Sequence, residues 1–364
     1  MKYQLNLLLL FIVSLIFSAC QNNTESTDQV NSEASNTTSI DSLKIQNIEY
    51  FDVESSIRAI QVVAKDQVWF AGSAGKWGYT ANGGQSWTID SIITDTIIPH
   101  FRSMAITGDA AHLLSIASPA LLYRSMDKGK NWDIVYREDH PGAFYDAMLF
   151  LDETTGIAMG DPTDNCLSVI RTEDGGLNWN KVDCTNLPEA TEGEAAFAAS
   201  NSNLAALDNK VWMVSGGAKA NVYQSEDKGK TWTVAPTPIA QGGQMTGIYT
   251  VAFQDENNGI VFGGDWNAKE VNSQNKAITK DGGKTWELLA DGEGPGYRSQ
   301  VRYIPNTNGQ GIIACGIPGI SYSLDGGKNW TDISEEPFYA MDFEPDGKVL
   351  WLSGANRITK LIFE

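Results

Sequence analysis

The chain has 364 residues, 42% of them hydrophobic, with 26 Lys and Arg set against 45 Asp and Glu for a net charge of −19. That apolar content is enough for a sizeable core and excludes a disordered chain. The acidic surplus excludes nucleic acid as a partner, because phosphate binding needs clustered Lys and Arg.

At the amino terminus Lys2 precedes an apolar run from Leu5 to Phe17, followed by Ser18, Ala19 and Cys20. The run is shorter than the roughly 20 residues that cross a bilayer and ends in small residues, so it reads as an export signal and not as a membrane span. Phe17-Ser18-Ala19-Cys20 resembles a bacterial lipobox, with Phe17 in place of the usual Leu, which implies cleavage before Cys20 and diacylation of its thiol. The polar stretch that follows suits a flexible tether. The expected division is a signal peptide over 1–19, a lipidated Cys20 and tether over 20–42, and a folded domain over 43–364 of an exported, membrane-anchored lipoprotein, periplasmic or on the cell surface.

The folded part is organised by a repeat: TANGGQSW, SMDKGKNW, TEDGGLNW, SEDKGKTW, TKDGGKTW and SLDGGKNW begin at Thr80, Ser125, Thr172, Ser225, Thr279 and Ser323, 44 to 54 residues apart. This is the length of one four-stranded propeller blade. Short alternating runs such as Val68-Trp69-Phe70-Ala71-Gly72 precede the copies, and no long segment has a 3.6-residue period, so the fold is expected to be all-β. In each copy the acid can accept turn N–H groups, the glycines supply positive φ and the closing Trp packs between sheets.

The copies are identified as members of the Asp-box, or BNR, repeat of sialidase-like propellers, and the chain from about residue 50 onward is similar to bacterial propellers of the photosystem II stability and assembly factor type. The resemblance implies that Asp127, Asp174, Asp227, Asp281 and Asp325, with Asn82 in the first copy, are structural turn residues between third and fourth strands. It also implies an extracytoplasmic partner-binding scaffold. Six boxes mark six blades, and the segment from Phe338 to Phe363 holds three further strands. The run Ile45 to Val53 can supply the fourth, giving a seven-bladed β-propeller whose last blade is closed by an N-terminal strand; six blades with a tail is the alternative.

In the third blade the turn at Gly175 and Gly176 sets Cys166 and Cys184 nearly opposite one another, and an extracytoplasmic address permits a disulfide between them. Cys315 reads as a buried small hydrophobe. Three histidines and no CxxC or HExxH motif leave no metal site to expect, and no cofactor is implied.

In a propeller the starts of the innermost strands meet at the channel mouth. Aligning SIRAI, HFRSM, AFYDAM, GEAAF, GIYTV, GYRSQ and PFYAM sets Arg58, Arg102 and Arg298 at equivalent positions, with Tyr145, Tyr249 and Tyr339 at that position in other blades. Asp146 lies beside them, and Asp265 sits in a loop between second and third strands. Planar guanidinium groups grip carboxylate or phosphate, so Arg58, Arg102, Arg298, Tyr145, Asp146, Tyr339 and Asp265 form the expected anion-recognition site. The competing reading is a structural network of these arginines with neighbouring acids.

Three functions are carried forward. The first is a binding or assembly module for a protein partner, or for a carboxylate or glycan ligand, at the channel mouth. The second is a sialidase-like glycoside hydrolase. Against it, Ile57-Arg58-Ala59 stands where sialidases carry Arg-Ile-Pro, and nothing fixes an acid, a nucleophilic Tyr and a supporting Glu together. The third, an oxidoreductase, rests on a label borne by similar proteins, without a dinucleotide, metal or haem motif to support it.

Overall fold

The computed structural model describes residues 42–94 and 96–364. The expected signal peptide, Cys20 and the tether as far as residue 41 lie outside the described residues. Among those residues, the regular elements are β-strands and one three-residue 3-10 turn, Cys184–Asn186.

The strands form antiparallel hairpin series. Four separate four-stranded sheets begin at Phe101–Thr107, Tyr145–Phe150, Leu204–Leu207 and Gln300–Tyr303. A further series, Thr246–Phe253 to Glu287–Leu288, is extended at its inner edge by the two-residue strands Gly216–Gly217 and Glu194–Ala195. One long strand, Ile45–Ala64, serves two neighbours. Its first half, Ile45 to Asp52, pairs with Ala355–Phe363, and its second half, Ile57 to Ala64, pairs with Gln67–Gly72. Both chain ends therefore share one hydrogen-bonded ladder, which leaves no unpaired edge between them.

Apolar side chains alternate along these strands and pack between adjacent sheets. One such layer holds Trp212, Val222, Ile248 and Val261, each at most 1% exposed. The first strand of each series lines a single central cavity of about 440 Å³. Side chains on those strands tie the inner edges together. Gln61 exchanges two hydrogen bonds with the main chain of Ile106, Asp342 accepts the Val62 N–H, and the Thr250 hydroxyl accepts the Val301 N–H.

The repeat turns have one shared geometry. In SEDKGKTW, the Ser225 hydroxyl donates to Asp227 at 2.8 Å and accepts the Gly229 N–H at 2.8 Å, while Asp227 accepts the Lys230 and Thr231 N–H groups. The same pattern recurs around Asp127, Asp174, Asp281 and Asp325, with Asn82 in the first turn. These bonds to the ionised form hold Asp127, Asp174 and Asp281 down to about 2, although burial opposes them at Asp174. Cys166 and Cys184 are joined, with Cα atoms 5.7 Å apart, and Cys315 is fully buried as a free thiol.

The innermost strand expected at GEAAF is corrected. The inner strand of that sheet is Leu204–Leu207, and the segment from Ala196 to Asn203 instead crosses the centre of the molecule. Its backbone is met by side chains from several sheets: Ala196 N–H by Asp161, Ala198 O by Arg102 and Ala199 O by Arg58. Asn201 reaches Met104 O and the Met148 N–H, and Ser200 donates to Ser299 O. Mostly small side chains let this segment fill the axis as a plug, held by these side-chain bonds and not by a ladder, although the buried Asn203 side chain has no hydrogen-bond partner among the described residues.

Candidate binding site at the plugged mouth

Four of the inner strands kink where they reach the mouth. The pairing registers skip one residue at Arg58, Arg102, Asp146 and Tyr249. Such bulges re-aim a side chain out of the alternation, here toward the axis. The residue before each bulge points into the sheet interior, and several of these approach a glycine at the end of the second strand. A Cβ on Gly72, Gly160 or Gly263 would lie within 3.3 Å of the Cα of Ile57, Tyr145 or Ile248.

This geometry corrects two expected site residues. Arg298 occupies the same place against Gly316 that Ile57 and Tyr145 occupy against theirs, so Ser299 and not Arg298 is equivalent to Arg58. A one-residue slip moves a strand side chain to the other face. Arg298 is accordingly 4% exposed and faces its own sheet, donating to Tyr297 O and to Ser321, with Asp332 at 3.9 Å. Burial lowers its pKa, offset in part by Asp332. Tyr145 is fully buried and donates to Glu138 at 2.6 Å, which Lys181 also binds at 2.7 Å. The structure does not bring three arginines together.

Arg58, Arg102 and Tyr339 are brought together at the mouth. The Arg58 guanidinium lies 4.0 Å from the Tyr339 ring centroid. Arg102 is pushed down to about 10, first by burial and then by the charge of Arg58, against the pull of Asp146 and Tyr339. Burial also lowers Arg58, with Tyr339 and Tyr297 opposing. Each guanidinium donates one hydrogen bond to the plug, at 3.2 Å, and neither has a carboxylate within ion-pair distance among the described residues.

Asp146 is fully buried, with neither oxygen hydrogen-bonded, and its pKa is raised well above the carboxylate range by burial and by Asp161; Arg102 and the Ala198 backbone offset this in part. Burial raises Asp161 as well. The two nearby acids are thus biased toward their neutral forms and compensate the arginines weakly. Asp265 lies at an edge, where it caps the Asn267 N–H and adds to the burial that raises the pKa of Tyr249. Beside it, Trp266 packs edge-on against Tyr297 and carries Lys269 4.3 Å above its ring.

The sequence reading placed Tyr249 at the mouth but missed Ser299, the plug carbonyls and the Phe197 and Tyr297 rings that pack against Tyr249. The glycines that close the second strands could have supplied the register. Among the described residues, no cluster of three or more His, Cys, Asp or Glu is placed to hold a metal ion, and no helix is long and apolar enough to cross a membrane.

The fold and this mouth define an all-β propeller with a plugged axis. No protein-family model matches the chain. It is 24% identical over 242 residues to the photosystem II assembly lipoprotein Ycf48 of Synechococcus sp. (strain CC9902), covering 57% of this chain and 67% of the relative. Ycf48 bound to a D1 peptide superposes with a TM-score of 0.63 at 16% identity, over 89% of this chain and 100% of that one. The GH74 xyloglucanase of Xanthomonas campestris gives 0.59 at 14% identity, over 85% of this chain and 53% of the enzyme.

Proposed function

We propose that this protein is a seven-bladed propeller that binds a protein partner through an anionic group at the plugged mouth, without catalysis. The observation that carries the reading is the pair Arg58 and Arg102: two partly exposed guanidinium groups set on bulges, held by plug carbonyls and with no carboxylate within ion-pair distance among the described residues. An incoming carboxylate would relieve their mutual repulsion. The similarity to Ycf48, one structure of which holds a D1 peptide, supports a peptide segment as the partner. The shared strand Ile45–Ala64 supports the count of seven, and an anchor on Cys20 with a tether to residue 42 would hold the domain at a membrane.

The glycosidase reading is weaker on this geometry. Of the tyrosine–glutamate pairs a sialidase-like mechanism would call on, Tyr145 with Glu138 and Tyr223 with Glu194 have fully buried tyrosines, and the partly exposed Tyr136 shares a Glu138 that Tyr145 and Lys181 already bind. At the mouth Tyr339 is partly exposed, and its ring is covered by Arg58. The test is equilibrium binding of the 43–364 domain to immobilised peptides from exposed segments of the host's membrane proteins, run beside a sialoside hydrolysis assay. Peptide binding that Arg58→Gln weakens at least tenfold supports the scaffold. Turnover of the sialoside, with no peptide bound, overturns it.

A further inference from the structure

The central cavity lies beneath the plug. Its lining comes from the middle and second halves of the inner strands, so it opens on the face opposite Arg58 and Arg102, and Asn201 and Ser202 of the plug close its inner end. At about 440 Å³ it falls within the roughly 300–1,000 Å³ of small-molecule sites. Gln61, Gln300 and Asn201 in its wall are already engaged with main-chain groups of neighbouring strands.

Two charged residues line this cavity, Arg302 and Asp342. Arg302 is fixed from behind: its Nε donates to Met341 O at 3.1 Å and its Nη2 lies 3.3 Å from Asp342 Oδ1. Asp342 is itself occupied, since it accepts the Val62 and Phe343 N–H groups. The Arg302 side chain nevertheless is 42% exposed, and its Nη1 has no protein partner among the described residues. A guanidinium oriented by a buried carboxylate and a carbonyl, with a free outer edge, is preorganised for one further carboxylate. Around it, partly exposed Ile106, Leu149, Ala206 and Ala252 give apolar wall.

We propose that this blind shaft binds a small organic carboxylate with a short apolar body, its carboxylate on Arg302 and its apolar part against Ile106 and Leu149. The proposal is independent of the binding reading for the opposite mouth.

Hexanoate and its neutral isostere hexanamide are the probes, titrated into the folded domain and followed by calorimetry, with NOEs from the hexanoate methylenes to the Ile106 and Leu149 methyl groups recorded on the unaltered protein. Hexanoate is expected to bind at least tenfold more tightly than hexanamide. Arg302→Gln and Ala252→Trp should each weaken it at least tenfold, while Arg102→Gln at the other mouth leaves it unchanged. Equal binding of both probes, a site that survives Ala252→Trp, loss on Arg102→Gln, or saturating hexanoate without NOEs to these methyls would each overturn the assignment, as would no binding at all. The NOEs need no substitution, so a variant that fails to fold leaves the test intact.

Discussion

Gln300 holds both main-chain groups of Met341 on the neighbouring inner strand: its Nε2 donates to the Met341 carbonyl at 3.0 Å, and its Oε1 accepts the Met341 N–H at 2.6 Å. Gln300 is 2% exposed, so these groups have no recourse to water. Gln300→Leu strands the buried Met341 N–H, while the Met341 carbonyl keeps its bond from Arg302 Nε, and is expected to cost about 1–3 kcal/mol, measured by urea unfolding. The more accessible Gln61, which makes the same pair of bonds with Ile106, should cost less when changed to Leu. Equal and negligible costs would show that the inner ring is held by packing alone.

Closure of the ring rests on the strand Ile45–Ala64. Removing residues 21–41 should leave the thermal midpoint within a degree or two. Removing 21–54 strips the partner from Ala355–Phe363 and takes away buried Val53, and should lower the midpoint by at least about 10 °C. Matching midpoints for the two truncations would mean that the shared ladder does not hold the ends.

The repeat turns depend on a hydroxyl as much as on the acid. Ser225→Ala leaves the buried Gly229 N–H without its acceptor and should cost about 1–2 kcal/mol in chemical denaturation. Asp227→Asn should cost less, because Asn82 fills that place in the first turn. A calcium chelator should leave the melting temperature unchanged; a drop would make these turns ion sites.

The repeats made the architecture legible: their spacing, the Gly-rich turns and the closing Trp depend on local chemistry that a sequence displays. The mouth was harder to read for a reason visible at Arg298. A bulge adds one residue to a strand without a fixed signature, so aligning on Arg and Tyr put Arg298 and Tyr145 at the axis, whereas the glycines Gly160 and Gly316 mark the true register. The plug was unreadable from pattern alone, because Ala196 to Asn203 is held by side chains from distant parts of the chain.

His112 is fully buried with both ring nitrogens unpaired, and burial, with Arg124 adding to it, pushes its pKa down to about 4. A folded-state value below the ordinary 6.5 favours the neutral ring. Its contribution is therefore complete above pH 6.5 and is lost as pH falls from 6.5 toward 4, by up to about 3 kcal/mol. Asp146 has the opposite sign, since its raised pKa favours the folded state as acid protonates it. His112→Gln should flatten the fall in stability between pH 6.5 and 4 in urea titrations. An unchanged slope would assign acid sensitivity to other groups.

Arg298 and Arg102 should separate cleanly. Arg298 is buried and bonded within its own sheet, so Arg298→Gln should lower the melting temperature by several degrees and leave partner binding intact. The reverse pattern would restore it to the mouth.

The most direct measurement is made on Arg102→Gln: its melting temperature and its affinity for a carboxylate-bearing peptide that the unaltered domain binds. Because Arg102 has no carboxylate within ion-pair distance among the described residues and is opposed by Arg58, the expected result is a melting temperature that is unchanged or raised, together with at least a tenfold loss of affinity. A lower melting temperature with affinity intact would show that the arginine pair serves the fold and not a partner.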